Sequence, residues 1–208
     1  MRIATKEFKV YKYGELSQRA KEKVKLEYIE HTDPNNFTYN VMQDLKNIGL
    51  QNLRPYYSLS YCQGDGLCLV GHIDFDKITP ELKELFCKNF LLPAYKIFQR
   101  LKEYSRVDFN HIGSYYHKNS VDIDIYADGS LNANKYNNHR KLADKLITNI
   151  KEWYMNKCDD YEKWGYEFFY GISDEELQDF CDGMEYEFLE DGTIFNERKE
   201  NKIYDSKN

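Results

Sequence analysis

The chain has 208 residues, 31% of them charged, a formal charge of −6, and only four prolines and eleven glycines. That balance excludes a fibrous, low-complexity or membrane-spanning chain, since no apolar run approaches bilayer length and the opening residues lack a leader-like apolar stretch. Five cysteines, an odd number with no Cys-x-x-Cys spacing, favour a reducing cytoplasm, with the thiols as small core residues rather than zinc ligands or staples.

In chain order, Ser17 precedes Ala20, Val24 and Tyr28, an N-cap followed by a four-residue apolar rhythm, so a helix is predicted over 17–31. Its Arg19, Lys21, Lys23 and Lys25 belong mostly to the outer face. Asp33-Pro34 then opens a second helix through Phe37, Val41, Leu45 and Ile48, closed by Gly49. Aromatic and aliphatic runs follow, and residues 56–62 are read as a strand returning through 67–75 after a tight glycine-rich reversal at Gln63-Gly64-Asp65-Gly66. Thr79-Pro80 begins a helix bearing Leu82, Leu85, Phe86, Ile97, Phe98 and Leu101, in which Pro93 demands a kink or break near Leu92.

A second hairpin is predicted from 107–117 and 120–127, where Val121, Ile123 and Ile125 alternate with Asp122, Asp124 and Tyr126. A long helix from Tyr136 to about Cys158 carries Leu142, Leu146, Ile150 and Trp153. Ser173 to Glu176 is a capping box for a last helix to Cys181, and 185–189 with 193–196 make a small hairpin through Asp191-Gly192. Segregated hairpins and long helices predict an α+β fold, antiparallel hairpins packed against long helices. One domain is expected over 1–197, with a polar, disordered tail at 198–208.

Two groups of side chains could carry chemistry. With Lys118-Asn119 as a two-residue turn, His117 opposes Ser120, Tyr115 opposes Asp122, Gly113 opposes Asp124 and His111 opposes Tyr126. His111, Tyr115, His117, Asp122 and Asp124 would then share one face, opposite Ile123 and Ile125, an arrangement suited to a divalent metal or to acid–base work on nucleotides or nucleic acid. An ordinary solvated sheet face accounts for the same residues, and His72 and Asp74 join them only if both hairpins share a sheet. The glycines around Asp65 are explained by the turn, which leaves Asp65 at its tip for a contact.

The second group is electrostatic. Residues 1–25 hold eight Arg/Lys against three Glu, whereas 159–191 hold thirteen Asp/Glu against one Lys, interleaved with Tyr161, Trp164, Tyr166, Phe168, Phe169 and Tyr170. Asp159, Asp160, Glu162, Asp174, Glu175, Glu176, Asp179, Asp182 and Glu187, with Asp65, are the candidate binding residues: carboxylates compete with phosphates for an Arg/Lys-lined channel, and aromatic side chains supply anchors. A solvated amphipathic surface is the plainer account of the same charges.

Several stretches together resemble a widespread family of phage and prophage proteins. They are Tyr13-Gly14-Glu15-Leu16-Ser17 with Ala20 to Lys23, the run Tyr57 to Gly66, His111 to His117 with Val121 to Ile125, and Ser173 to Glu176 before Tyr186 to Gly192. The most specific part is a Ser-x-x-Gln-Gly-Asp-Gly segment, here Ser60 to Gly66, after which similar proteins often continue Ala-Ser-Phe and this chain has Leu67-Cys68-Leu69. The resemblance implies a phage-type protein in the host cytoplasm that acts on host machinery. The expectation is an inhibitor or adaptor, without cofactor or metal, that binds a host defence complex such as a CRISPR effector and blocks nucleic-acid access. The competing expectations are a metal-dependent hydrolase or nuclease using the hairpin face, and direct nucleic-acid binding through the Arg19–Lys25 helix.

Overall fold

The computed structural model describes residues 7–101, 104–127 and 133–196, which leaves the polar tail expected at 198–208 outside the described residues. The fold is α+β, with six α-helices and a four-stranded antiparallel sheet among those residues. Two compact units divide the chain, one within Pro34–Tyr166 and one formed by residues 7–33 with 167–196.

In the first unit, α2 (Pro34–Asn47) leads into β1 (Leu53–Ser58) and β2 (Gly66–Asp74), then α3 (Pro80–Phe86), α4 (Ala94–Arg100), β3 (Tyr104–His111), β4 (Val121–Ala127) and α5 (Ala133–Tyr170). Both hairpins belong to one sheet in the order β1-β2-β3-β4. Strand alternation puts Leu67, Leu69, Ile73, Val107, Phe109 and Ile123 on one buried face. Helix α5 buries Ala143, Leu146, Ile150, Tyr154, Cys158 and Tyr161, a three-or-four-residue rhythm that presents one stripe. That stripe lies on the sheet: the Tyr154 ring stands 5.2 Å from Phe109, and its hydroxyl accepts from the Leu69 N–H at 3.3 Å.

Helix α2 buries Phe37, Val41 and Leu45, and it is tied to α5 through Asp44, which accepts from Tyr161 Oη at 2.6 Å and from Lys157 Nζ at 2.9 Å. Pro93 separates α3 from α4, as its missing N–H requires. The buried Asn149 donates to the Phe86 and Lys88 carbonyls at 2.7 and 2.9 Å, satisfying backbone acceptors left over at the end of α3.

The hairpins depart from their expected limits for identifiable reasons. Strand β1 includes Pro55, which an edge strand tolerates because the missing N–H faces away from the sheet, so the strand starts earlier than Tyr56. Gly66 is already in β2, and the reversal before it is a seven-residue loop, 59–65, instead of a tight turn. In the second hairpin the strands stop at His111 and Val121, which face each other. Residues 112–120 form a broad loop containing a 3-10 turn at Lys118–Ser120. Helix α5 runs to Tyr170, twelve residues beyond Cys158.

The second unit packs α1 (Gln18–Glu30) with α6 (Asp174–Gly183) around Tyr13, Leu16, Ala20, Val24, Leu177, Cys181 and Phe188. Ser17 and Ser173 cap these helices as expected, the latter with Glu176 completing the capping box. The hairpin expected at 185–196 is reduced to a bridge between Phe188 and Ile194, and Tyr11 bridges Phe188 from its other side. Basic and acidic ends of the sequence meet here, with Lys23 2.9 Å from Asp191 and Lys12 3.8 Å from Glu187. No described helix is long and apolar enough to cross a membrane.

Candidate functional site

The most elaborately built feature of the first unit is the loop 59–65. The Asp65 carboxylate accepts from the Ser60 N–H at 2.6 Å, the Cys62 N–H at 2.8 Å, Ser58 Oγ at 2.9 Å, Ser60 Oγ at 3.3 Å and Tyr166 Oη at 3.1 Å. Burial works against the charge, but these donors outweigh it and hold Asp65 down to about 2, while burial and the neighbouring carboxylate push the Tyr166 hydroxyl up to about 12. Asp65 is thus an internal staple, and the expectation that it stands available at a loop tip is corrected. What the staple displays is Tyr61, in the left-handed region at φ 56° and 71% exposed, with its ring 4.7 Å from that of Tyr166.

The loop 112–120 lies against this one. Gly64 has φ 94°, and a β-carbon there would come within 2.7 Å of the Tyr115 ring. At Gly66, whose φ is ordinary, a β-carbon would meet His117 Cδ2 at 2.8 Å and the Tyr116 carbonyl at 3.0 Å. The second glycine therefore serves close packing of the loops, a role separate from the turn chemistry expected of it. Tyr116 completes the junction, its ring 5.7 Å from Tyr56 and 5.5 Å from His111. Lys118 is paired with Asp159 of α5. On and beside these packed loops Tyr56, Tyr61, Tyr115, Tyr116 and Ile112 are exposed.

Both histidines are engaged in holding these loops. His111 Nε2 is 3.0 Å from the Tyr115 carbonyl, which can only accept, and His117 Nδ1 accepts from the Asn119 N–H at 3.1 Å. The expected common face of His111, Tyr115, His117, Asp122 and Asp124 does not form. His111 opposes Val121 and shares the face of Phe109, whereas Asp122 opposes Asn110 and Asp124 opposes Asp108, on the other side of the sheet. Tyr115 and His117 lie in the loop, outside the ladder.

The sheet does bring His72 into a row with Asp108 and Asp124 across β2, β3 and β4. Asn52 Nδ2 donates to His72 Nε2 at 3.0 Å and to Asp74 Oδ2 at 2.9 Å, and Arg106 Nε sits 3.0 Å from Asp108 Oδ1. Among the described residues, no three His, Cys, Asp or Glu side chains gather as a metal would need.

The remaining acidic candidates divide between the units. Asp159, Asp160 and Glu162 are on α5, Asp159 and Asp160 exposed. Asp174, Glu175, Glu176, Asp179 and Asp182 are all exposed on α6, where three in the first turn favour the helix dipole and Glu176 is spent on the cap. Glu187 is paired with Lys12. Sequence reasoning missed Tyr56, Tyr61 and Tyr116. The available signal was the doublets Tyr56-Tyr57 and Tyr115-Tyr116: in the first, strand alternation sends Tyr57 against Phe37 at 5.1 Å and leaves its neighbour outside.

No curated protein matches the chain, and no solved structure does. Residues 36–174, more than half of the chain, match a family described as a domain of unknown function, DUF8835. That stretch holds the whole sheet, both loops of the tyrosine surface and α5 entire, and by it the chain belongs to the DUF8835 family.

Proposed function

We propose that the chain is a binding protein of the inhibitor or adaptor type, which docks through the tyrosine surface of loops 59–65 and 112–120 onto a basic protein or ribonucleoprotein. One observation carries the reading: the exposed Tyr61 stands on a loop held by a fully engaged carboxylate, so it presents large contact area with little ordering left to lose on binding. Tyrosine is favoured at such anchors, and its ring face accepts Arg and Lys. Exposed carboxylates of α5 and α6 supply the field that draws a basic partner.

The resemblance to phage and prophage proteins extends the proposal to a host defence complex, a guide-loaded CRISPR effector being the candidate whose basic channel an acidic surface would obstruct. The test is the association rate with such effectors at increasing ionic strength. Steering by carboxylates predicts a rate that falls steeply with salt; a rate indifferent to salt removes the electrostatic part of the proposal.

A further inference from the structure

The sheet ends on one side at β4, and the phase of its ladder tells which groups that edge presents. The Ile112 N–H donates to the Ser120 carbonyl at 2.9 Å, which marks those residues as a hydrogen-bonded pair. Since such pairs alternate along antiparallel strands, the backbone groups of Asp122, Asp124 and Tyr126 turn toward β3. Those of Val121, Ile123 and Ile125 turn outward. Among the described residues they take no backbone partner, and the Ile123 N–H is met only by the Asp122 carboxylate, at 3.1 Å. The opposite edge is different, because Pro55 lies in β1 and carries no N–H.

Side chains along β4 alternate as sharply. Ile123 is buried and Val121 and Ile125 half-buried on the core face, whereas Asp122 and Asp124 are exposed on the other. Among the described residues neither carboxylate is paired with Lys or Arg. A second copy of this strand is a poor occupant: antiparallel pairing centred on Ile123 sets Asp122 opposite the copy's Asp124, like charges on one face.

We propose that β4 is a strand-addition site for an extended basic peptide in which Lys or Arg alternates with aliphatic residues. Its backbone would pair with Ile123 and Ile125, displacing the Asp122 carboxylate from the Ile123 N–H. Its cations would then lie opposite Asp122 and Asp124, and its aliphatic side chains would extend the core face beside Val121 and Ile125. This goes beyond the tyrosine surface, and a peptide can occupy the edge whether or not that surface binds a protein.

The experiment titrates the full chain, labelled for amide spectroscopy, with a short acetylated peptide of alternating lysine and valine. Binding with slowed hydrogen exchange at the Ile123 and Ile125 amides is expected. The same peptide N-methylated on alternate residues, along the edge that would pair, keeps its charge but loses its donors, so it should bind at least about tenfold more weakly. An alternating glutamate–valine peptide should not bind wild type but should bind the Asp122→Lys/Asp124→Lys variant. Tyr61→Ala should leave all of this unchanged, which separates the edge from the tyrosine surface. No binding, equal binding by the N-methylated peptide, or a self-associated dimer that protects the same two amides without peptide would each overturn the proposal.

Discussion

Asp65 is the residue on which the tyrosine surface turns, because one carboxylate satisfies two backbone N–H groups and three hydroxyls in and around the loop. Asp65→Ala is predicted to lower stability by about 1–3 kcal/mol in denaturant unfolding and to broaden the Tyr61 resonances. Its charged form is favoured by folding, so the contribution is fully present above the ordinary carboxylate range and is lost as pH falls from about 4 toward the folded value of about 2. The loop should therefore loosen on acidification over that window, and an Asp65→Asn variant should not show the transition. Gly64, at φ 94°, was legible as turn chemistry, but the carboxylate's partner on α5, Tyr166, is 101 positions away, a distance at which local spacing carries no information.

Among the elements, what could be read from spacing was what local chemistry decides. Ser17 and Ser173 as caps, Pro93 as a breaker and the Phe37–Val41–Leu45 stripe all stand where their neighbours in sequence put them. Register was not legible in this way. A Lys118-Asn119 turn and a nine-residue loop over 112–120 suit the same alternating pattern in 121–127, and the choice rests on Tyr115 and His117 packing against Gly64 and Gly66 of the other hairpin. Gly66→Val is accordingly predicted to cost about 1–3 kcal/mol by overpacking, and to displace Tyr115 and Tyr116 while leaving the β1–β2 pairing intact. Chemical shifts of both loops would check it: an unperturbed 112–120 loop would mean that the glycine serves only its own strand. Asn149→Leu, which orphans the carbonyls of Phe86 and Lys88, should cost about 1–3 kcal/mol in the same unfolding assay.

For the molecule as a whole, the basic and acidic ends that the sequence sets apart are partly spent on each other, since Lys12 and Lys23 pair with Glu187 and Asp191. Such exposed pairs contribute little to stability, and the carboxylates of α6 are left in excess. Changing Glu175, Asp179 and Asp182 to Lys should leave the unfolding midpoint nearly unchanged while slowing association with a basic partner and flattening its salt dependence. The decisive measurement is target-DNA binding by guide-loaded CRISPR effectors in the presence of wild type, of Tyr61→Ala and of the α6 charge reversal. Wild type is expected to block the DNA, Tyr61→Ala to need at least about tenfold more protein to do so, as loss of an anchor residue implies, and the reversal to block slowly. Wild type that leaves DNA binding untouched at every concentration, or Tyr61→Ala that blocks as well as wild type, would contradict the proposed function.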